Sequence, residues 1–557
     1  MSDNEKQSTT EVAIVGGGPV GLILSLFLDF YGVKSVLFNT EDRVRKHPKG
    51  SSHNARTMEH YRRLGISAPI RRLGMPLDYP KDVAYQTRLS GFEIARFYMP
   101  SEIEIARQTR AANQTDQTPE PMFRANQMYV EAFLFEHART RRNITLRFGW
   151  RCDGFCQNAD GTSLRATRAD GQSERWNAAY VIGCDGGRSD VRHALGVRYS
   201  GIDHLEQAYL GGRMIASYLR APTLCRDHLG RRRAWMYWVV NPDLRTTLFS
   251  LNGTDEFMFW TKPADPKAPP DSEAIRRAFH CCIGTEVPVE FIGHEPWTAG
   301  AALVAEQFAD QRIILVGDAV HLFTPTGGFG MNTGMDDAAN LAWKLAATLR
   351  GWGGAHLLRS YEIERRPIAV RNTTAARAIA KQVGTLEIPS RIEEDSPVGA
   401  AQRRELGLFV STYLGAQFDP IGVELGARYD NSPIVISNGA PPPTDSIVQY
   451  IPTGVPGGRA PHYWFGTGRG IGDSLFDRLG KGFTLLRLGP KPPAAENFAA
   501  AGRARGVPLT ILDVPEDAAR DLYAADLALV RPDQHIAWAG VAAPADADCV
   551  LARATGA

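Results

Sequence analysis

The stretch Arg312–Ala346, RIILVGDAVHLFTPTGGFGMNTGMDDAANLAWKLA, decides how this chain is read. Ile313–Val316 is a short apolar run and predicts a buried strand. Gly317-Asp318 ends it and sets a carboxylate at the strand's C-terminal end, the edge where open α/β sheets bind ligands. A turn-rich segment with Pro325, Gly327, Gly328 and Gly330 follows. Asp337, Leu341, Leu345 and Leu349 then recur every four residues beside Ala338, Ala342 and Ala346, which predicts a helix. The order is strand, carboxylate, glycine loop, helix N-terminus. Such a loop lets backbone N–H groups approach a ligand, and the helix dipole favours negative charge there.

A second nucleotide signal opens the chain. Val12–Val15 predicts a strand that runs into Gly16-Gly17-Gly18-Pro19-Val20-Gly21, a G-x-G-x-x-G sequence. Leu22, Ile23, Leu26, Phe27 and Phe30 continue with a helical period. In that context Gly16 makes the turn, Gly18 lets a pyrophosphate approach and Gly21 lets the helix pack on the sheet. Alone, the motif says only that a dinucleotide binds. The next predicted strand, Ser35–Phe38, ends at Asn39, where such folds set an acid for the ribose hydroxyls. Asn39 can still bond a hydroxyl, and Glu41 stands close behind it.

GDAVHLFTPTGGFGMNTGMDDAANLAWKL resembles the second flavin-binding signature of the single-component FAD-dependent aromatic hydroxylases, the p-hydroxybenzoate hydroxylase-like flavoprotein monooxygenases. The resemblance implies that Asp318, after Gly317, bonds the ribityl chain of FAD. It sets Pro325 beside the isoalloxazine ring, and the N–H groups around Gly330, Met331 and Asn332 against its N1–C2=O edge. Reduced flavin is an anion with charge on that edge, which suits a helix N-terminus. The segment HPKGSSHNARTMEHYRRLGI, residues 47 to 66, resembles a family stretch that passes near the flavin. It makes Arg56 a candidate FAD contact. His53 stands where the family has an apolar residue. It is either a base for a phenolic proton or a histidine bonded to nearby backbone. Asn126-Gln127-x-x-x-Glu131 resembles the family segment whose glutamine reaches the flavin, and Asp185 with Arg188 resembles its D-G motif.

The resemblance implies an α/β fold in three parts. A Rossmann-like FAD-binding domain takes residues 1–80, 100–199 and 298–370. An antiparallel substrate sheet takes 81–99 and 200–297. A helical connection, 371–438, leads to a thioredoxin-like C-terminal domain, 439–557, like that of phenol and 2,4-dichlorophenol hydroxylases. That domain has no C-x-x-C, so it predicts packing or dimerisation and no thiol exchange. Residues 80–120 read as polar and irregular, with 108–121 a loop. The aromatic stretch from Trp235 to Trp260 predicts the substrate roof. Tyr237 is the leading candidate for a substrate contact, with a core aromatic as the other reading, while Trp235 and Trp238 read as packing.

The implied activity is hydroxylation of a phenol with NAD(P)H and O2, through a flavin C4a-hydroperoxide. FAD is the bound cofactor and NADPH or NADH the co-substrate. Pro325, His53 and Tyr237 are the catalytic candidates. Two other readings stay open: a flavin-dependent halogenase, although Trp235-Met-Tyr-Trp238-Val-Val lacks the W-x-W-x-I-P spacing, and an FAD-binding protein without turnover. Lys+Arg 63 against Asp+Glu 61 argues against nucleic acid or an anionic membrane as partner. Seven scattered cysteines without metal spacing predict reduced thiols, a cytoplasmic site and no metal. A homodimer is expected. The polar N-terminus and the lack of an 18-residue apolar run predict neither a secretion signal nor a membrane span.

Overall fold

A computed structural model of the chain describes residues 6–203, 209–263, 265–299, 301–384 and 386–557. The strand Lys6–Val15 lies inside the first sheet because Val12, Ala13 and Ile14 are all buried, as a parallel strand covered on both faces requires. It pairs in parallel with Ser173–Gly183 on one side and Ser35–Asn39 on the other. Ile313–Leu315 and Ile144–Phe148 extend the parallel order outward. Helix Pro19–Phe30 packs on helix Phe329–Leu349, and their apolar sides share one core with the sheet. Both strand–glycine–helix units expected from sequence are therefore present, side by side.

A second sheet of seven strands stands over the first domain. Its strands come from 83–97 and from 212–299. It was expected to be antiparallel throughout. One pairing departs from that: Met236–Val240 runs parallel to Val83–Gln86, with Trp238 opposite Tyr85. Two sequence-distant strands meet there, so no hairpin dictates their sense. The sheet has two different faces. Tyr237, Val239, Leu248 and Phe259 pack beneath helix Ser272–Ile283, with Phe279 and Cys282. Tyr85, Trp235, Trp238 and Phe249 lie in another cluster, with Phe418 and Val410.

Residues 80–120 are more regular than expected. Besides two strands they hold helix Glu102–Arg110, whose start is a capping box: Ser101 accepts from the Glu104 N–H, and Glu104 accepts from the Ser101 N–H. The S-x-x-E signal was in the sequence and marks a helix start.

The C-terminal domain is a four-stranded sheet. Phe483–Leu488 pairs in parallel with Leu509–Val514 and antiparallel with Leu527–Val530, beside Ile536–Gly540. Helices Glu496–Arg505, Asp517–Tyr523 and Ala547–Ala554 cover it, as in thioredoxin-like folds. Its turn at Arg531–Gln534 plugs into the first domain. The Arg531 guanidinium donates to both oxygens of Glu364, at 2.7 and 2.9 Å. Lys344 donates to the same carboxylate at 2.6 Å, and the Trp343 indole donates to Asp533 at 3.1 Å. All five are buried. No helix among the described residues is long and apolar enough to cross a membrane.

This buried charge sets an acid limit on stability. Burial alone would raise Glu59, but Arg459 and Arg56 outweigh it and hold it down to about 2. Arg531 and Lys344 likewise hold Glu364 far below the carboxylate range. A depressed carboxyl contributes stability that is complete above its unfolded value and is lost as pH falls through the folded value. The expected outcome is a urea midpoint that is level above pH 4.5 and drops as pH approaches 2. In a Glu59→Gln variant that drop becomes shallower.

Candidate active site

The two glycine loops open on one groove. Gly16 has φ +115°, and a Cβ there would meet the Cys184 carbonyl, so only glycine makes this turn. A Cβ on Gly21 would strike the Gly16 carbonyl, which is why the helix can start so close to the strand. A Cβ on Gly18 would meet nothing within 4 Å: the loop faces open space over the N-terminus of helix Pro19–Phe30, which begins with Pro19 and Val20. Asn39 braces this loop, accepting from the Gly17 N–H at 3.1 Å and donating to the Glu41 carbonyl at 3.0 Å. The space and the free helix terminus fit a pyrophosphate.

Asp318 follows the strand Ile313–Leu315 in a short helical turn that begins at Gly317. Its side chain is exposed by surface area, yet protein crowds it closely enough for burial to raise its carboxyl, with His321 and Lys49 opposing. The two observations describe a carboxylate on the wall of an open groove. Lys49 acts on Asp318 and also on Glu131, so the 47–66 segment and helix Gln127–Arg139 converge there. Gln127 donates its backbone N–H to the Gly50 carbonyl at 2.8 Å and its side chain to Glu131.

Pro325 opens the turn that leads into helix Phe329–Leu349, with Gly327 and Gly328 at φ 79° and 68°. The N–H groups of Phe329, Gly330 and Met331 have no carbonyl one turn back within the helix. The first turn carries no acidic side chain, so its positive end is unscreened. Asn332 ties the loop to its neighbours. Its amide accepts from the Asn54 N–H at 3.0 Å and the Thr57 hydroxyl at 2.7 Å, and donates to the Ser52 carbonyl at 2.9 Å. An open cradle, a wall carboxylate and a bare helix N-terminus along one groove fit an extended dinucleotide with an electron-rich ring.

Three sequence candidates stand elsewhere, and a fourth, Asp185, lies against the Gly16 turn with its carboxylate already bonded. Arg56 is buried, and its donors go to Glu59 at 2.9 Å, Gln534 at 2.6 Å and the Asp533 carbonyl at 2.6 Å. The structure gives it an interdomain role in place of a flavin contact. Asp185 spends its carboxylate on the Ser189 hydroxyl at 2.5 Å and the Val191 N–H at 3.1 Å, which anchors the next helix. His53 is fully buried, with its nitrogens 3.2 Å from the Tyr61 hydroxyl and 3.2 Å from the Ala125 carbonyl. Burial pulls it down to about 4, so it is neutral and satisfied, and is no base for substrate. Tyr237 faces the Ser272–Ile283 side of its sheet, where its oxygen accepts from the Ala234 N–H at 2.6 Å. The alternation of side chains along a strand turns Trp238 and Tyr85 to the other face. There the indole N–H groups of Trp235, Trp238, Trp260 and Trp297 and the Tyr85 hydroxyl have no partner. Among the described residues no His, Cys, Asp or Glu group could hold a metal.

A cavity of about 320 Å³ lies apart from the groove, between 442–453 and 422–430. Its arginines are already matched: Arg371 by Asp445, Arg428 by Asp430 and Arg459 by Glu59.

The fold and groove define a dinucleotide-binding flavoprotein. Comparison with known proteins gives the family: the FAD binding domain matches residues 9–376, and the C-terminal domain of aromatic-ring hydroxylases matches 453–557. The chain belongs to the FAD-dependent aromatic-ring hydroxylases and is a monooxygenase-type enzyme that acts on aromatic compounds. It is 32% identical to the FAD-dependent monooxygenase apdD of Emericella nidulans, over 98% of this chain and 90% of that one. It is 30% identical to the 2,4-dichlorophenol 6-monooxygenase of Cupriavidus pinatubonensis, over 97% and 94%. The rebeccamycin biosynthetic enzyme RebC, solved with reduced flavin, superposes with a TM-score of 0.86 at 32% identity, covering 99% of this chain and all of that one.

Two outcomes follow for the site. Asp318→Ala lowers FAD affinity roughly ten- to a hundredfold, the worth of one charge-assisted hydrogen bond, in an equilibrium flavin titration; an unchanged constant removes Asp318 from the site. Tyr237→Phe leaves the rate of aromatic hydroxylation unchanged. It lowers stability by about 1–3 kcal/mol, because the Ala234 N–H is left buried without an acceptor.

Proposed function

We propose that the enzyme hydroxylates a phenol of more than one ring, next to its hydroxyl group, with NAD(P)H as reductant and O2 as oxidant. The observation that carries this reading is the groove itself, set beside an aromatic sheet face studded with unpartnered donors. When bound, FAD supplies the redox chemistry: it takes electrons from NAD(P)H and activates O2. Gly16, Gly18, Pro19, Val20 and Gly21 would hold its pyrophosphate, and Asp318 its ribityl chain. The N–H groups of Gly330 and Met331 would meet the charged edge of the ring, in a preorganised positive field.

The sheet face binds rings by excluding them from water, which also protects reactive oxygen species from loss. From Trp235 to Val240 it runs about 17 Å at roughly 3.4 Å per residue, longer than one benzene ring needs. The unpartnered N–H groups of Trp235, Trp238 and Trp260 and the Tyr85 hydroxyl suit oxygen atoms on such a substrate. The 2,4-dichlorophenol monooxygenase relative supports a phenol as the reacting group. The sequence holds no second G-x-G-x-x-G, so NAD(P)H docks transiently. Arg43, Arg45, Lys46 and Lys49 offer it cations beyond Asn39.

The test is a panel of one-, two- and three-ring phenols, scored for stimulated NAD(P)H oxidation with the product identified. Multi-ring phenols are expected to give the higher kcat/KM, with oxygen inserted ortho to the hydroxyl. Stimulation by benzoates alone would overturn the substrate class.

A further inference from the structure

Arg124 occupies an unusual place. Its short strand, Phe123–Arg124, pairs with Ser52–His53, and Ser52 lies directly against Gly328 of the second glycine loop. The guanidinium donates to the Ser52 hydroxyl at 2.5 Å and to the Phe418 carbonyl at 3.2 Å, and lies 4.1 Å from the Trp235 ring centre. It thus bridges the loop and the aromatic sheet face. It is 5% exposed, its Nε has no acceptor, and among the described residues no carboxylate reaches it as an ion pair. A buried cation without a counter-ion is costly.

Glu424 is the matching oddity. It is 5% exposed. One oxygen accepts from the Ala55 N–H at 2.9 Å, and the other has no partner. The groups around it are Asp419 on its own segment, Glu59 and the Ala55 N–H on helix Ala55–Arg63, and Arg124. Arg371, from helix Ser360–Gly384, bonds the neighbouring carbonyls of Gly422 and Val423. Burial pushes the Glu424 carboxyl up to about 7; the Ala55 N–H opposes this and Asp419 adds to it. Burial lowers Arg124 to about 10, which leaves it charged at neutral pH.

We propose that Arg124 binds the substrate's phenolic oxygen and that Glu424 accepts its proton, so that the pair ionises the phenol for hydroxylation. This rests on the phenol hydroxylase reading above. The phenol O–H bond breaks and a carboxyl O–H bond forms on the free Glu424 oxygen. The electron pair stays on the phenolate, which takes the free Nε–H of Arg124. Nothing is oxidised or reduced in the step. Phenolate pushes electrons to the ring carbon next to it, and that is what hydroxylation needs. An acceptor titrating near working pH beside a fixed cation is the arrangement that makes proton transfer efficient.

The experiment uses the FAD-loaded enzyme and two probes. The first is 4-nitrophenol, whose ionised form has its own absorbance. On the wild type its ionisation constant is expected to rise roughly tenfold over free solution, one pKa unit. Arg124→Gln abolishes the shift and Arg124→Lys keeps part of it, at unchanged flavin content. The second is a weakly acidic phenol that supports turnover. Its kcat rises with pH through about 7 in the wild type, and Glu424→Gln, which keeps an acceptor for Ala55, loses that rise. A wild-type enzyme that turns over phenols but shifts 4-nitrophenol no more than Arg124→Gln does overturns the role of Arg124. An unchanged pH profile in Glu424→Gln overturns that of Glu424. If no phenol stimulates NAD(P)H oxidation, the hydroxylase reading falls and the pair with it.

Discussion

The buried ion pairs around helix Phe329–Leu349 are the constraint on which the rest of the molecule depends. The helix carries Asp336, Asp337 and Lys344, all buried, and each would be prohibitive alone. Arg365 answers both aspartates, at 2.5 and 2.6 Å, and Glu364 answers Lys344. His60 and His321 add a second contact to each aspartate. Such a lattice has one low-energy arrangement, because moving any member strands its neighbours. The helix is therefore held in place, and so are the N–H groups at its N-terminus. Rigidity at one end of the helix becomes directional charge at the other, which is what preorganised stabilisation of a flavin edge requires. The C-terminal domain joins this lattice through Arg531 and Asp533. Its thioredoxin-like fold serves here as a buttress, and its one cysteine, Cys549, is exposed and free.

The substrate sheet divides labour between its faces. Under helix Ser272–Ile283, every polar group on Tyr237 is satisfied and the packing is that of an ordinary core. On the other face, indole and phenol groups are buried without partners. Native structures leave few such groups, because each costs about 1–3 kcal/mol. A protein keeps several together where something else supplies the acceptors.

Much of this was legible in the sequence because glycine geometry is local. The positive φ at Gly16 and the open space at Gly18 are properties of six consecutive residues, and the motif encodes them directly. The strand, carboxylate and helix around Asp318 were readable for the same reason. The role of Arg56 was not, since its partners Asp533 and Gln534 lie 477 and 478 residues further along. Tyr237 was left between a substrate contact and a core aromatic, because nothing local says which face of its strand helix Ser272–Ile283 would cover. His53 was left between two readings, and the fold chose the backbone-bonded one by closing Ala125 and Tyr61 on it. Arg124 and Glu424 sit in no motif, and only the packing of the 414–425 segment over Ser52 and Ala55 brings them into one neighbourhood. The capping box at Ser101 was local and was simply passed over.

The parallel pairing of Val83–Gln86 with Met236–Val240 has a consequence for how the chain reaches this state. The 100–199 part of the first domain lies between the two strands, so the aromatic sheet cannot close until the ribosome has delivered residues beyond 240. Until then Val83–Gln86 and Glu93–Phe97 wait as a lone hairpin, which is marginal in water. Pairing over such a separation raises contact order and slows folding. Nascent chains of this enzyme thus pass through a stage with an apolar strand edge in solvent, the condition that recruits chaperones and rewards slow synthesis. Expression at low temperature, or with added chaperone, follows from strand order alone.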